Sequence, residues 1–473
     1  MAIYWYNYII YINTRDQVGA IMDNWAGLIL AAGKGSRMKS NTPKVLHEIL
    51  GQSLIQFPIT ALRETGINDI NLVVSPDNKK PISTTLDDSI KYTLQKEQKG
   101  TGDALVSYLQ QCETVPKNLI IQNGDMPLIS QCSIKDLIQT HSSEDNFITI
   151  VTLQDCTAGD FGRVIRNKEG LVTKIEEANE STIQSDQQTE VNAGIYCVNT
   201  QNVSEFTSEL GSNHNGEQYI TSLVELAYSK GLKVGFSKLK HRDEMLGVND
   251  RLQLSQATAV MQKQIVEQLM LSGVTIINPN NVYIEPTVSI QQDATILQNS
   301  ILKGATKIGA NAIIGPNTTI VNGNIGDNSV VESSTIKDSS IGIQCHVGPY
   351  SHLRENTKIK NNVHIGNNVE LKNTVLESGV KAGHFCYLGD ATIGKGTNIG
   401  AGTITCNYDG VNKHSTIIGE NTFIGCDTML VAPLIIGSDC LTGAGAVVTK
   451  DVPSGRRAIG VPAKISPNKD WKG

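Results

Sequence analysis

Short apolar runs alternate with longer amphipathic stretches in the first half of the chain, between about residues 25 and 249. The runs at residues 26–30, 71–74 and 118–121 have the length of buried strands, and residues 53–65 have helical periodicity. Alternating strands and helices are typical of an α/β fold with a mostly parallel sheet. We therefore predict a Rossmann-like α/β domain here.

Residues 250–272 have a different pattern, in which apolar residues recur near helical spacing with Gln, Lys and Glu between them. Asn249 or Asp250 can cap the start of a helix, and Gly273 follows its end. The pattern predicts one long linker helix between two domains.

From residue 273 onward, aliphatic residues recur every six positions. One such series contains Ile341, Val347 and Leu353, and many members of these series are followed by glycine. Three hexads close one triangular coil, in which each aliphatic residue points inward and stacks on its equivalents above and below. We therefore predict a left-handed parallel β-helix over residues 273–473.

Composition and charge narrow the possible functions. The chain has 473 residues, which suits two or three domains, and its 43 glycines and 5% aromatic residues suit many small repeated turns. A net charge of −6 without a long basic run argues against nucleic-acid binding. Nine scattered cysteines without a Cys-x-x-Cys pair argue for a reducing compartment. No apolar run reaches the roughly 18 residues of a membrane span, so we expect a cytoplasmic protein.

The first 21 residues stand apart from these patterns. Residues 1–11 are rich in Tyr and Ile, but neither Lys nor Arg precedes Arg15, so the basic region of a signal peptide is missing. We expect residues 1–21 to be an extension outside the fold. The first domain is then predicted over residues 22–249, with Met22 as its start.

A glycine-rich segment follows the first predicted strand. Residues 31–38 read Ala-Ala-Gly-Lys-Gly-Ser-Arg-Met. Glycines let backbone N–H groups approach a ligand, and Lys34 and Arg37 add positive charge, so the segment is a candidate phosphate-binding loop. It is not a Rossmann fingerprint, because Met38 stands where a third glycine is needed. It is not a Walker A motif either, because it does not end in Gly-Lys-Ser/Thr.

This loop, with Pro-Lys-Val-Leu at residues 43–46, resembles the opening signature of sugar-nucleotide pyrophosphorylases. Residues 98–102 resemble the family's uracil-reading segment, and residues 123–127 resemble its metal-binding Gly-Asp motif. Later segments follow the order of the family's sugar-binding segments. The resemblance implies a nucleotidyltransferase domain that binds UTP and its sugar-nucleotide product through Leu30, Ala31, Ala32, Gly33, Arg37, Lys44, Gln95, Gln98, Gly100, Thr101, Asn123, Gly124, Asp125, Gly162, Glu177, Asn192 and Asn249.

The reaction of this family explains these residue types. An oxygen of a sugar 1-phosphate attacks the α-phosphorus of a nucleoside triphosphate, and pyrophosphate leaves. Positioning and charge neutralisation dominate such transfers. The resemblance implies that Asp125 and Asn249 hold Mg²⁺, which bridges substrate phosphates. It also implies that Lys44 steers the attacking phosphate and that Arg37 balances charge on the departing pyrophosphate.

Polar residues interrupt the hexad pattern between residues 372 and 414. There, residues 381–390 and 398–410 closely resemble the bacterial N-acetylglucosamine-1-phosphate uridylyltransferase/glucosamine-1-phosphate acetyltransferase family, whose layout the chain follows from Met22 to about Ala463. The resemblance implies small-molecule substrates: glucosamine 1-phosphate, N-acetylglucosamine 1-phosphate, UTP and acetyl-CoA. It also implies a homotrimer with acetyl-transfer sites between adjacent β-helices, and a product that feeds peptidoglycan and lipopolysaccharide synthesis.

His384 is the candidate general base of the acetyl transfer. An amine attacks a thioester only without its extra proton, and histidine titrates in the range needed to remove one. The resemblance implies that the glucosamine phosphate contacts Arg354, Lys372, Tyr387 and Asn398. It implies that acetyl-CoA contacts Ala401, Asn407, Tyr408, Lys413, Cys426 and Ala444.

The end of the chain departs from that family. An arginine past the last coils often helps to bind CoA there, but residues 458–464 read Ala-Ile-Gly-Val-Pro-Ala-Lys. Arg456, Arg457 or Lys464 are the available alternatives. Cys426 stands where a serine is expected.

Two alternative functions stay open on the sequence. One is a single-function pyrophosphorylase whose β-helix only regulates or oligomerises, and the other is an assembly protein with an inactive transferase fold. A second active site is favoured by Arg354, Lys372 and His384, which a scaffold does not need. An active transferase is favoured by the intact set of Arg37, Lys44, Asp125 and Asn249.

Overall fold

The computed structural model describes residues 24–467, except residues 179, 182, 208 and 210–215. The predicted extension of residues 1–21 therefore lies outside the described residues, as does the predicted β-helix beyond residue 467. Two compact units divide between Met261 and Gln262, inside a long helix. This division falls within the predicted linker, and the domain boundaries themselves stay a prediction.

The first unit contains a nine-stranded mixed sheet with helices around it, and a separate two-stranded sheet. Its strands are β1 (Trp25–Leu30), β2 (Glu48–Ile49), β3 (Gln52–Ser53), β4 (Ile70–Val74), β5 (Lys91–Leu94), β6 (Asn118–Asn123), β7 (Ile148–Thr157), β8 (Arg163–Arg166), β9 (Val172–Glu176), β10 (Gln188–Asn199) and β11 (Val234–Lys238). Its helices are α1 (Gln56–Glu64), α2 (Lys79–Ser83), α3 (Thr101–Gln111), α4 (Gln131–Ser143), α5 (Val203–Thr207) and α6 (Ser222–Ser229). The helix α7 (Arg251–Leu271) follows.

The main sheet has the strand order β11-β7-β10-β6-β1-β4-β5. Strands β6, β1, β4 and β5 are parallel, β10 runs antiparallel to its neighbours, and β8 and β9 form a hairpin beside β10. Almost every residue of β1 and β4 is buried, which explains why these strands appear in the sequence as continuous apolar runs. The predicted α/β fold with a mostly parallel sheet is confirmed.

The helix expected over residues 53–65 is shorter than its periodicity suggests. Ser53 pairs with Glu48 in the β2–β3 hairpin, so α1 begins only at Gln56. The apolar residues before Gln56 are buried without being helical.

The second unit is a parallel β-helix with three faces, each a sheet of short strands from successive coils. The first face consists of Thr275–Ile276, Thr295–Ile296, Ile313–Ile314, Val330–Val331, His346–Val347, His364–Ile365, Lys381–Ala382, Asn398–Ile399, Phe423–Ile424, Leu441–Thr442, Arg456–Ile459 and Lys464–Pro467. The second face consists of Tyr283–Ile284, Ile301–Lys303, Thr319–Val321, Thr335–Lys337, His352–Leu353, Val369–Lys372, Cys386–Gly389, Ile404–Cys406, Met429–Val431 and Val447–Val448. The third face consists of Ser289–Ile290, Lys307–Ile308, Asn324–Ile325, Ser340–Ile341, Lys358–Ile359, Val375–Leu376, Ala391–Ile393, Thr416–Ile418 and Leu434–Ile436.

The hexad residues form the core of this unit, as the sequence predicts. Ile341 pairs in register with Ile359, and Val347 with Ile365, so one coil spans three hexads. These side chains are all buried. Corners are turned largely by Asn and Asp in the left-handed backbone region, such as Asn362 at φ 56°. Asparagine and aspartate adopt that conformation more readily than most residues, which explains their frequency between hexads.

One coil is longer than the others. Ile393 pairs with Ile418, and the coil between them carries the projecting loop of residues 407–415. This loop replaces the hexad pattern where the sequence becomes polar. No helix in the described part of the chain combines the length and the apolar composition of a membrane span.

Candidate active sites

The first site lies at the carboxyl ends of the parallel strands β1 and β6. Leu30 and Asn123 are paired at the ends of these strands, and the Gly124 N–H donates to the Leu30 carbonyl oxygen over 2.9 Å. A Cβ placed on Gly124 would lie 2.8 Å from Ile55 Cδ1 and 3.2 Å from the Leu30 carbonyl oxygen, so a larger residue here would crowd the end of β1. Loops at this edge of an α/β sheet are the usual place for ligands.

Two cavities open at this edge and share Asn123 and Asp125 in their linings. The larger has a volume of about 970 Å³, which suits a nucleotide-sized ligand, and its lining includes the predicted residues Leu30, Ala31, Ala32, Gly33, Lys44, Gln95, Gln98, Gly100, Thr101, Asn123 and Asp125. The second has a volume of about 550 Å³, and its lining includes the predicted residues Arg37, Asn123, Asp125, Gly162, Asn192 and Asn249. The predicted nucleotide-binding and sugar-binding segments thus meet at Asp125.

Lys44 connects the two predicted metal ligands. Its Nζ donates to Asp125 Oδ2 and, over 3.1 Å, to Asn249 Oδ1. The Val248 N–H donates to the Asp125 carbonyl oxygen over 2.9 Å, which fixes the Asn249 segment beside the Asp125 loop. Both side-chain oxygens thus converge on one cation, as a site for a hard cation such as Mg²⁺ requires.

The uracil-reading segment is held by a distant part of the chain. The Gly102 N–H donates to the Gln218 carbonyl oxygen over 2.8 Å, and the Gln218 N–H donates to the Lys99 carbonyl oxygen over 2.7 Å. A Cβ on Gly100 would lie only 2.3 Å from that Gln218 oxygen. Glycine at this position therefore allows the close approach of the two segments.

Gln95 supports the same segment from inside. Its buried side-chain amide donates to the Gly100 carbonyl oxygen over 3.0 Å and to Asp103 Oδ2 over 2.7 Å. These bonds orient the start of α3, so Gln95 shapes the cavity wall by bonding to protein atoms.

The sugar-binding segments form the far wall of the second cavity. The Asn192 N–H donates to the Gly162 carbonyl oxygen over 2.8 Å, and the Asn192 amide donates to the Tyr196 hydroxyl over 2.7 Å. Arg163 is fully buried, and its guanidinium donates to the carbonyl oxygens of Phe161 and Gly159 over 2.5 and 3.1 Å. Arg163 therefore holds the loop that carries Gly162.

Gly124 and Glu177 are predicted site residues that lie outside the linings of both cavities. Glu177 accepts a hydrogen bond from the Thr221 hydroxyl over 2.6 Å, and burial raises the pKa of its carboxyl group. Lys34 of the candidate phosphate-binding loop also lines the larger cavity. Several lining residues were not predicted to bind ligand: Asp77, Glu217 and Tyr219 in the larger cavity, and Asp160 and Arg242 in the second. Glu217 and Tyr219 carry no sequence motif, because their place depends on the Gln218 contact.

In the second unit, three predicted cations gather on the second face. Arg354 and Lys372 lie on successive coils, whose Leu353 and Leu371 are paired. Arg354 Nη1 lies 2.9 Å from Glu370 Oε1. Contact with the Lys372 amine lowers the pKa of Lys413, which belongs to the projecting loop. Cations this close favour a multiply charged anion between them.

Tyr387 and Asn407 lie beside these cations. Tyr387 is on the coil after Lys372, and its hydroxyl is close to Gly389, the residue paired with Lys372. The Asn407 amide donates to Asp390 Oδ2 over 2.6 Å, which ties the projecting loop to the second face. Tyr408 is exposed, and its hydroxyl donates to the Gly410 carbonyl oxygen over 2.6 Å.

The corner between the first and second faces carries four more predicted residues. The Gly402 N–H donates to Phe385 O, the Asp427 N–H to Ala401 O and the Gly445 N–H to Cys426 O, over 2.6, 2.6 and 2.8 Å. These bonds stack the corners of successive coils. The stack places four predicted residues along one edge of the prism: His384, Ala401, Cys426 and Ala444.

His384 is exposed at this edge, and its Nδ1 lies 3.4 Å from Asn367 Oδ1. The base candidate is thus one coil away from the first predicted acetyl-CoA residue. The residues follow one another along this edge in the order His384, Ala401, Cys426 and Ala444. A ligand lying parallel to the β-helix axis would therefore contact the base candidate first and the predicted acetyl-CoA residues after it.

Within one chain, Asn398 lies on a different face from the other predicted sugar-phosphate residues. It lies on the first face, paired with Lys381 and Phe423 on the neighbouring coils. Arg354, Lys372 and Tyr387 are on the second face, so the predicted sugar-phosphate residues are divided between two sides of the β-helix.

The basic residues at the end of the chain form part of a hairpin. Ile459 pairs with Lys464, and the Arg457 Nε donates to the Ser466 hydroxyl over 2.9 Å. Ile459 also covers Gly443, the neighbour of Ala444. Of the three basic candidates, Lys464 is the one paired with a residue that contacts this corner.

Comparisons with known proteins follow the same division of the chain. The nucleotidyl transferase family matches residues 26–242. The bacterial transferase hexapeptide family (six repeats) matches residues 338–373 and 415–450, and the hexapeptide repeat of succinyl-transferase matches residues 305–333. These matches confirm the predicted nucleotidyltransferase fold and the left-handed β-helix.

Curated relatives match along nearly the whole chain. A protein named "Bifunctional protein GlmU" from Caldanaerobacter subterraneus subsp. tengcongensis is 40% identical over 439 residues, covering 93% of this chain and 95% of the relative. Proteins with the same name from Clostridioides difficile and Streptococcus agalactiae serotype V are 38% and 39% identical, each over 440 residues. The first covers 92% of this chain and the second 93%, and both alignments cover 95% of the relative.

Both halves of this family are present here, because the nucleotidyl transferase match and the hexapeptide matches fall on different units. The family implies a divalent metal together with nucleotide and acyl-CoA substrates. The chain belongs to the GlmU family and is a bifunctional enzyme of UDP-N-acetylglucosamine synthesis, with uridylyltransferase and acetyltransferase activities.

Proposed function

We propose that uridylyl transfer takes place where the two cavities of the first unit meet. The observation that carries this proposal is the position of Asp125, which lines both cavities and faces Asn249 across the Lys44 ammonium. UTP occupies the larger cavity and N-acetylglucosamine 1-phosphate the second. The sugar-phosphate oxygen then reaches the α-phosphorus close to Asp125.

The residues of the chain bind and orient the phosphates in this step. Asp125 and Asn249 hold Mg²⁺, which neutralises phosphate charge when it is bound. No group of three or more His, Cys, Asp or Glu in residues 24–467, as far as they are described, is arranged to hold a metal alone. Mg²⁺ commonly takes substrate phosphates and waters as its remaining ligands, so two protein ligands are enough for it. Lys44 and Arg37 supply two positive charges around the reacting groups.

Acetyl transfer takes place on the edge that carries His384. Arg354 and Lys372, on successive coils of the second face, bind the phosphate of glucosamine 1-phosphate. Lys413 of the projecting loop, close to Lys372, contacts acetyl-CoA. The nitrogen of the sugar's 2-amine attacks the acetyl carbonyl carbon, and His384 takes a proton from that amine. The carbon–sulfur bond breaks and CoA leaves. Ala401, Cys426 and Ala444, stacked along one edge of the β-helix, bind acetyl-CoA. Lys464 is the best placed cation at the Ala444 end of this edge.

A homotrimer completes the acetyl site. Asn398 is on a different face from Arg354 and Tyr387, and a second copy that brings its first face to the second face of its neighbour would bring such residues together. Three three-sided prisms can satisfy this condition in a closed ring, whose symmetry repeats the same contact three times. The cytoplasm is the proposed location, since UTP and acetyl-CoA are made inside the cell.

Separate substrate sets test this proposal. The protein is given either UTP with N-acetylglucosamine 1-phosphate, or acetyl-CoA with glucosamine 1-phosphate, and pyrophosphate and free CoA are measured. We expect each product from its own set alone. Pyrophosphate without CoA would support a single-function pyrophosphorylase, and neither product would support an assembly protein.

A further inference from the structure

The proposed metal ligands of the first unit already hold a cation of the chain itself. The Lys44 ammonium donates to Asp125 Oδ2 and to Asn249 Oδ1, and the Lys44 and Asp125 side chains are only 15% and 16% exposed. An ammonium is a compact charge with three donors, and two of them are used here. Because Mg²⁺ binds the same kind of oxygen at 2.0–2.1 Å, the metal and the ammonium compete for these atoms.

Lys44 is also in contact with the space where phosphates bind. It lines the larger cavity together with Ala32, Gly33 and Lys34 of the glycine-rich loop. Gly35 of that loop has φ 61°, and a Cβ there would lie 2.7 Å from Lys44 Cβ. The loop therefore rests on the Lys44 stem, and a phosphate bound by the loop offers the ammonium a second anion.

We propose that Lys44 is a resident counter-ion that couples metal entry to phosphate arrival, an inference that rests on the proposed uridylyl transfer. Without a phosphate, the ammonium neutralises Asp125 and keeps its oxygen beside that of Asn249. An arriving phosphate draws the ammonium away, and the metal takes the oxygens that it leaves. Phosphate and metal then strengthen each other's binding, because linkage between two sites is reciprocal.

The test is a titration of the full chain with Mn²⁺, in which the concentration of the free ion is measured by its electron paramagnetic resonance signal. No nucleotide is present, so the readout does not depend on activity. Removing the competing ammonium in Lys44→Met should tighten Mn²⁺ binding about tenfold, which corresponds to about 1.4 kcal/mol. Lys34→Met is the matched control, because Lys34 lines the same cavity without bonding to Asp125. We expect wild-type affinity in this variant.

Two further variants keep the result unambiguous. Adding Asp125→Asn to Lys44→Met should abolish the gain, which identifies the site. Lys44→Gln should also bind Mn²⁺ more tightly than wild type, and it replaces Lys44→Met if that variant does not fold.

Equal Mn²⁺ affinities of the wild type and Lys44→Met would overturn the proposal. An equal gain in Lys44→Met and Lys34→Met would overturn it as well, because the effect would then be one of general charge. Failure of the uridylyl assignment shows up differently, as absence of pyrophosphate from the wild type with UTP and N-acetylglucosamine 1-phosphate.

Discussion

Replacing Gly100 by alanine should weaken UTP binding without affecting acetyl transfer. Gly100 precedes α3 with φ 104° and ψ −178°, a region that is almost confined to glycine. The added methyl group would lie 2.3 Å from the Gln218 carbonyl oxygen, which cannot move without displacing its own segment. The substitution therefore combines backbone strain with a steric clash.

The magnitude follows from these two effects. The backbone conformation alone costs alanine about 1–3 kcal/mol. Relief of the clash breaks the hydrogen bonds of Gln218 with Gly102 and Lys99, which contribute about 1 kcal/mol each. Together they amount to about 3–5 kcal/mol. If the strain is relieved within this loop and not by unfolding, even the lower value raises the KM for UTP about a hundredfold.

The assay compares Gly100→Ala with Gly231→Ala. Gly231 also has a positive φ, 70°, but among the described residues nothing lies within 4 Å of an added Cβ. This control should lose about 1–2 kcal/mol of unfolding free energy and keep its KM for UTP. The reasoning is refuted if Gly100→Ala has the same KM for UTP as Gly231→Ala, with CoA release unchanged in both.

Three further predictions concern specificity, the start of the chain and pH. UTP should be preferred over ATP and GTP by about a hundredfold or more in kcat/KM, because the cavity beside residues 98–102 is bounded by fixed polar groups; comparable turnover of ATP contradicts this. A chain that begins at Met22 should keep both activities, and loss of either shows that residues 1–21 contribute to the fold. Burial lowers the pKa of His141 to about 4. The unfolded chain then binds a proton that the folded chain does not, so unfolding free energy should fall by about 3 kcal/mol between pH 6.5 and pH 4. Denaturant titrations should show a smaller fall in His141→Gln, and equal falls would exclude His141 as the cause.

The repeated part of the fold was the most predictable from the sequence. The spacing of Ile341, Val347 and Leu353 determines both their burial and their pairing, because each coil copies the previous one. The apolar runs of β1, β4 and β6 were equally visible. The helix expected over residues 53–65 was too long, since the pairing of Ser53 with Glu48 depends on a turn that periodicity does not report.

The site was predictable where a local segment binds directly, as in the glycine-rich loop and the Asp125 segment. The site was not predictable where contacts between distant parts of the chain determine which residues reach it. Glu217 and Tyr219 reach the larger cavity because Gln218 bonds to the segment near Gly100. The face on which Asn398 lies follows from counting coils in the structure. The buried guanidinium of Arg163 appeared in the sequence only as the neighbour of Gly162.

Two independent active sites in one chain are the central claim, and paired product assays on two variants test it most directly. Asp125→Ala should lower pyrophosphate release at least about a thousandfold and leave CoA release unchanged, because the metal contributes several kcal/mol to the transfer. His384→Ala should lower CoA release by about 10²–10⁴-fold and leave pyrophosphate release unchanged. A folded variant of either kind that loses both activities equally would contradict the account.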